Sequence, residues 1–190
     1  MYWSTKNYKN NIFQKVMLAL FASITLFSSY SCGNGKEDQN SFNNTEIDLS
    51  QYFKIEIERL KRLNPEITKT VLKDNEEETK DILIKDWETE LSSFASIDLN
   101  KPAYKGLFKK DSSQNIVTYS FTDEKLDLSK VILQYKSNSI EKIEVFRKSD
   151  NLLYTTKEIL TYEPNKQYIV DKKQHVWILG DTHYIIKGIF

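Results

Sequence analysis

The fold is decided by residues 167–189, which read QYIVDKKQHVWILGDTHYIIKGI. Apolar and polar side chains alternate through much of this stretch, and a period of two predicts β-strands. Gly180-Asp181 divides the stretch, and a glycine at the first central position favours a two-residue hairpin turn. The sequence therefore predicts two antiparallel strands over 167–179 and 182–189.

The two-residue turn also predicts which side chains face each other across this hairpin. Trp177 is expected opposite Tyr184, with its indole mostly buried, and these two residues form a candidate binding face. The same register places His175 and His183, the only two histidines of the chain, on opposite faces of the sheet. A shared metal site is therefore not expected.

Both faces of the predicted hairpin are apolar. One face carries Trp177, Leu179, Tyr184 and Ile186, and the other carries Val176, Ile178 and Ile185. An antiparallel sheet with one wet face alternates apolar and polar residues, so both faces of this hairpin need a cover. Two interpretations stay open, which are a curled sheet that closes on its own core and a groove for a ligand or partner.

Further strands are predicted upstream of this hairpin, because the period of two begins at Asn115. They cover residues 116–122, 130–136, 140–148 and 152–162. Turn residues separate these segments, and no connection leaves room for the crossover helix that parallel strands need. The second half of the chain is therefore expected to be an antiparallel meander.

Helices and a hairpin are predicted before the meander. Asp48 and Gln51 have the spacing of a capping box, and an apolar stripe follows, which predicts a helix over 48–63 that Pro65 ends. Segments 67–73 and 79–85 favour a hairpin over a continued helix. A short helix is expected over 87–96. The expected fold class is α+β, with two short helices packed on a curled C-terminal antiparallel meander and with an N-terminal hairpin.

The first 31 residues have the three-part layout of a secretory signal peptide. Residues 1–15 carry three lysines and no acid, residues 16–27 are apolar, and residues 28–31 are mostly small. Twelve apolar residues are too few for a transmembrane helix, which needs about 20. Cys32, the only cysteine, follows at the processing point. The sequence predicts a lipoprotein signal peptide over 1–31, and an uncleaved anchor and a buried core helix are the alternatives.

Ser29-Tyr30-Ser31-Cys32 resembles the lipobox of bacterial lipoproteins, which the lipoprotein signal peptidase cuts before the cysteine. Lys36-Glu37-Asp38 is similar to the surface-export signal of Bacteroidota lipoproteins. The remainder of the chain resembles lipoproteins of the same phylum, a resemblance that implies no activity. It does imply that Cys32 is acylated, with palmitate or a similar chain. It also implies a cell-envelope protein anchored in the outer membrane, on its periplasmic or its outer side.

Residues 32–45 are polar and are interpreted as a flexible tether, which leaves residues 46–190 as a single α+β domain. Removing residues 1–31 leaves 159 residues with 24 basic and 27 acidic side chains, a net charge of −3. A mildly acidic protein has no electrostatic reason to bind nucleic acid. The expected partners are the membrane, through the lipid, and a protein or apolar ligand.

No sequence motif predicts catalysis, a cofactor or a metal site. The chain has no Gly-x-Ser-x-Gly, and zinc would lack cysteine ligands. Acidic pairs such as Glu141/Glu144 and Glu158/Glu163 are explained more simply as exposed strand positions. A non-enzymatic lipoprotein that binds a partner is therefore favoured. The alternatives are a structural or accessory subunit of an outer-membrane assembly and an enzyme acting on glycans.

Overall fold

Nine antiparallel strands form one open sheet in the computed structural model, which describes residues 46–190. The strands are β1 (Glu66–Lys73), β2 (Glu76–Leu83), β3 (Phe108–Ser113), β4 (Ile116–Phe121), β5 (Leu128–Lys136), β6 (Ser139–Asp150), β7 (Tyr154–Glu163), β8 (Gln167–Val176) and β9 (Gly180–Ile189). Their spatial order is β2-β1-β9-β8-β7-β6-β5-β4-β3, so consecutive strands from β3 to β9 are neighbours. The antiparallel meander predicted from residue 115 onward is confirmed, and the sheet is not closed.

Short polar turns make this meander possible. Gln114, Ser137, Asn138 and Asn165 have positive φ angles between 49° and 63°, within turns that join successive strands. Asn and Asp adopt this left-handed conformation more readily than other non-glycine residues, because their short polar side chains bond locally. These turn residues are what the sequence offers in place of glycine, which occurs only five times.

One strand was missed by the sequence prediction. β3 pairs with β4 along its whole length, from Phe108 opposite Phe121 to Ser113 opposite Ile116. It forms an edge of the sheet, and only Phe108 among its six residues is partly buried. Because an edge strand with polar side chains on both faces has no alternating pattern, periodicity could not detect it.

The hairpin expected over 67–85 lies at β1 and β2, which pair antiparallel. The expected turn of five residues is wrong, because β2 begins at Glu76 and the turn is only Asp74-Asn75. β1 also pairs with β9, with Val71 opposite Ile186. This second pairing extends the meander by two strands and joins the two ends of the domain in one sheet.

Helix α1 (Leu49–Leu63) confirms the helix predicted over 48–63. The Asp48 carboxylate accepts a hydrogen bond from the Gln51 backbone N–H at 2.8 Å, which caps the first turn. Asn64, with φ of 43°, ends the helix in the left-handed conformation just before Pro65. Among residues 46–190, no helix is both long and apolar enough to cross a bilayer.

The second predicted helix is broken into two single turns, α2 (Trp87–Glu90) and α3 (Ser92–Ala95). Asp86 caps α2, since its carboxylate accepts from the backbone N–H of Thr89 at 3.1 Å and from the Thr89 hydroxyl at 2.6 Å. The break leaves Trp87 and Phe94 fully buried, so packing of the apolar side chains outweighs helix regularity here.

The core lies between the helices and one face of the sheet. Helix α1 contributes Leu49, Phe53, Ile57 and Leu60, all buried. The strands contribute Val131, Leu133, Ile143, Val145, Leu160, Tyr162 and Tyr168, all with no exposed surface. The helices therefore cover one face of the sheet, and the apolar stripe predicted for α1 is the stripe that packs on it.

Candidate functional site

The hairpin of β8 and β9 turns at Trp177-Ile178-Leu179, and not at Gly180-Asp181 as predicted. Val176 is opposite Gly180 and Lys172 is opposite Tyr184. The Leu179 N–H donates to the Val176 carbonyl at 3.0 Å, and Gly180 follows with φ of +83°. Glycine adopts that left-handed conformation at little cost. Gly180 therefore suits the position directly after the three-residue turn, where β9 begins.

The predicted pairing of Trp177 with Tyr184 is therefore wrong, and so is the burial of Trp177. The indole lies in the turn and is 80% exposed. Tyr184 lies within β9, where it is opposite Lys73 on one side and Lys172 on the other. The candidate binding face is thus divided, and only Trp177 remains at an exposed apolar surface.

A second apolar loop lies directly beside this turn. Leu152 and Leu153 occupy the connection from β6 to β7, where the Asn151 side-chain oxygen accepts from the backbone N–H groups of Leu153 and Tyr154 at 2.9 and 3.1 Å. The backbone N–H of Trp177 donates to the Leu153 carbonyl at 3.2 Å, and this bond joins the two loops. The five apolar residues of the two loops form what we call the apolar loop tip: Leu152, Leu153, Trp177, Ile178 and Leu179.

The apolar loop tip is the most exposed apolar surface in the described part of the chain. Its five side chains are between 70% and 97% exposed, and a shallow cavity of about 430 Å³ opens between Leu153 and Trp177. Burying a side chain of this kind stabilises the buried state by about 1.5–3 kcal/mol. Adjacent exposed apolar residues of this size mark interaction surfaces. The sequence carried a signal for the turn, because four consecutive apolar residues before Gly180, from Val176 to Leu179, break the alternation.

Behind the apolar loop tip, three lysines form a row across three neighbouring strands. Lys148 of β6 is opposite Lys157 of β7, which is opposite Lys173 of β8. Residues paired in this way share one face of the sheet, and like charges directly opposite each other destabilise it. Among residues 46–190, these three lysines form no ion pair. We call this feature the lysine row.

Both histidines lie on the same face as the lysine row, which corrects the predicted opposite placement. His175 is opposite Asp181 and His183 is opposite Lys173. His175 Nδ1 lies 2.7 Å from Asp181 Oδ1, and His183 Nε2 lies 2.8 Å from Asp171 Oδ1. They line one open cavity of about 420 Å³. No group of three or more possible metal ligands is found within the described range, 46–190.

The nearby carboxylates, unlike the lysines, all have polar partners. Asp171 and Asp181 each bond a histidine, and Asp150 accepts from the Thr155 hydroxyl at 2.9 Å. Asp74 accepts from the His183 backbone N–H at 2.8 Å, and this bond ties the β1–β2 turn to β9. Among residues 46–190, the three lysine ammonium groups are therefore charged groups at this end of the sheet that no carboxylate pairs.

The acidic pairs considered from the sequence are engaged in ion pairs. Glu144 lies 2.9 Å from Lys142, Glu158 lies 3.3 Å from Arg147, and Glu163 lies 3.4 Å from Lys166. Glu141 accepts from the Gln134 amide at 3.2 Å. These contacts support the interpretation of the four glutamates as ordinary strand positions, but their predicted exposure is wrong, because each side chain is only 14–30% exposed.

One acidic residue is buried in the core, and sequence reasoning did not single it out. Glu56 on α1 accepts from Arg59 Nε at 2.8 Å, from Arg59 Nη2 at 2.5 Å and from the Tyr162 hydroxyl at 2.5 Å. Burial opposes ionisation of Glu56, but the hydrogen bonds from Arg59 and Tyr162 win and hold its pKa below the ordinary value. Burial together with Glu56 raises the pKa of Tyr162. This cluster attaches α1 to the sheet.

Cys32 and Lys36-Glu37-Asp38 lie outside the described residues, so their predicted roles stay predictions. No family matches this chain, and no curated protein or solved structure is significantly similar to it. The function is therefore inferred from the residues and from the geometry given above.

Proposed function

We propose that this chain is a lipid-anchored protein of the outer membrane that acts by binding through its apolar loop tip. The N-terminal layout of lysines, twelve apolar residues and Cys32 supports the anchor. Residues 32–45 form the tether, and the domain beyond it carries the binding surface. No bond-making or bond-breaking step is assigned to it.

The observation that carries the binding role is the exposure of five apolar side chains at the ends of two adjacent loops. Their side chains add little to the core of the domain, since each is at least 70% exposed. Leaving such a surface in water costs solubility, and soluble proteins rarely present large apolar patches without a partner. An apolar ligand, a membrane or a partner protein accounts for it.

Replacing Cys32 with alanine is expected to remove the protein from the membrane fraction. The thiol is the only sulfur atom in the chain able to carry an acyl group, because Cys32 is the only cysteine. Metabolic labelling with an alkyne-tagged fatty acid, followed by membrane fractionation, measures both properties. Label in the Cys32→Ala protein, or none in the wild-type protein, contradicts the anchor.

Replacing Lys36, Glu37 and Asp38 together with alanine is expected to change which side of the outer membrane the protein occupies. The triplet is similar to a surface-export signal, while acylation at Cys32 is left intact. Protease added to intact cells measures the exposed fraction. A matched control replaces Glu76, Glu77 and Glu78, an exposed acidic run within the domain, with alanine. Unchanged protease sensitivity of the triplet variant would leave these residues as linker charges.

A further inference from the structure

We propose, as a deepening of the binding role above and resting on it, that the apolar loop tip and the lysine row dock the domain on a phospholipid bilayer. The apolar loop tip enters the interface, and the lysine ammonium groups contact lipid phosphates. The occupant of the surface is therefore the membrane itself, and not a partner protein.

The shape and size of the apolar loop tip favour a bilayer. Its side chains project from the ends of two hairpin loops, and each is at least 70% exposed. A stable protein interface uses about 20–30 residues on each side, whereas this surface has five. Tryptophan is enriched where proteins meet the membrane–water interface, and Leu and Ile partition into the acyl region. A few protruding apolar residues suffice for that kind of contact.

The lysine row supplies an independent reason. Lys148, Lys157 and Lys173 are directly opposed across three strands and form no ion pair among residues 46–190, although this arrangement is unfavourable for the sheet. The carboxylates around them are already bonded to His175, His183 and Thr155. Anionic oxygens from outside the chain would relieve the repulsion, and lipid phosphates present a layer of such oxygens.

The two features lie at depths that suit one bilayer surface. Lys157 follows Leu153 by four residues, and Lys173 precedes Trp177 by four, so the row lies about 13 Å behind the tip at the rise of a strand. Apolar faces of interfacial segments enter about 5–10 Å into the headgroup and acyl boundary. The flexible lysine stem lets the ammonium group extend toward the lipid phosphates, while the carbons of the stem cover apolar surface.

The chain outside the described residues supports the same occupant. The proposed anchor at Cys32 is 14 residues from Glu46, a span of at most about 50 Å when fully extended. Glu46 is held against β3 by Lys110 at 2.8 Å, so the tether enters the domain at a fixed point. The apolar loop tip is thereby confined near the anchoring bilayer, where a weak contact becomes effectively intramolecular. Docking then sets the orientation of the domain on the membrane.

Trp177 is the natural reporter for this docking. The acylated mature protein, which begins at Cys32, is reconstituted in vesicles of phosphatidylethanolamine and phosphatidylglycerol, with and without brominated acyl chains that quench nearby indoles. We expect loss of most of the Trp177 emission in the brominated vesicles and a blue shift of the remainder. Trp87 is buried in the core and serves as the internal control, and the Trp177→Phe protein identifies the signal. Unquenched Trp177 in vesicle-bound protein overturns the proposal.

Two sets of variants separate the contribution of the apolar loop tip to membrane docking from that of the lysine row. Leu152→Ser with Ile178→Ser is expected to abolish the quenching while the melting temperature stays unchanged, and Leu63→Ser with Leu83→Ser, exposed apolar positions elsewhere, is the matched control. Replacing the three lysines of the row with glutamine is expected to weaken docking about fivefold per lysine. The same change at the exposed Lys80, Lys136 and Lys166 should have little effect.

Other outcomes distinguish this inference from the proposed function. Trp177 that is shielded by a second copy, seen as a tip-dependent dimer, overturns membrane docking. So does a specific crosslink from Ile178 to another envelope protein, although either result would still support a binding role for the apolar loop tip. A protein that carries no fatty acid and fails to enter the membrane fraction would instead refute the anchor itself.

Discussion

Replacing Phe53 with alanine is expected to lower the free energy of unfolding by about 3–5 kcal/mol, the range found for buried aromatic residues. Phe53 has no exposed surface and lies at the contact between α1 and the sheet. Its ring centroid is 5.2 Å from that of Tyr162 and 5.3 Å from that of Phe94. Truncation removes these contacts and leaves a cavity that neighbouring rings, held in strands and helix, cannot fill.

The matched control for Phe53 is Ile55 on the same helix. Its side chain is 60% exposed, so Ile55→Ala should change stability by less than about 0.5 kcal/mol. Urea unfolding of the wild-type protein and both variants measures the difference. Since a domain is typically stabilised by about 5–15 kcal/mol, the Phe53 variant should lose a large share of its stability. A Phe53→Ala protein as stable as the Ile55→Ala protein would contradict the packing of α1 on the sheet.

Replacing Glu56 with alanine is expected to cost about 3 kcal/mol, because it breaks a buried hydrogen-bonded ion pair. The value lies at the low end for such pairs, since the Arg59 side chain is 28% exposed and regains water. The Tyr162 hydroxyl, in contrast, is left buried without its carboxylate acceptor. Glu58→Ala is the control on the same helix, because Glu58 forms only an exposed pair with Lys61.

The Glu56 carboxylate also predicts a specific pH dependence of stability. Its pKa is lowered in the folded protein, so the unfolded chain binds its proton first as the pH falls. The stabilisation is therefore fully present above the ordinary glutamate pKa of about 4.3 and is lost as the pH falls through the lower folded value. Glu56→Gln should flatten the acid limb of a plot of unfolding free energy against pH. An unchanged acid limb would show that Glu56 does not carry this linkage.

The helix and most of the strands could be predicted from local patterns. Helix α1 carries its own cap at Asp48, its apolar stripe and its stop at Pro65, so each boundary has a local cause. Strands β4 to β9 alternate apolar and polar residues between turns rich in Asn, Ser and Asp. β3 has no such pattern, and it is a strand because β4 offers it a partner. Local sequence carries no record of that pairing.

The candidate site was predicted only in part: Trp177 was named, but the wrong turn shifted the register by an odd number of residues, which reverses the face assignments of the hairpin. Placing the turn at Gly180-Asp181 put Trp177 opposite Tyr184, whereas the turn at Trp177-Ile178-Leu179 places Lys172 opposite Tyr184. Side chains alternate with a period of two, so the change in register also brings the two histidines to one face. Both turns suit the glycine at 180, and the choice between them depends on pairing with β1 and β7.

By itself, the sequence determined the mainly β meander, the position of α1 and the layout around Cys32, because each rests on residues near one another in the chain. Only the tertiary structure decided what those elements bring together. Gly188 is required because a side chain there would meet the Tyr168 ring within 2.6 Å. Glu56 is tolerated in the core because Tyr162, 106 residues away, donates to it. The lysine row and the apolar loop tip likewise arise from strand register, a property of paired strands that no single strand encodes.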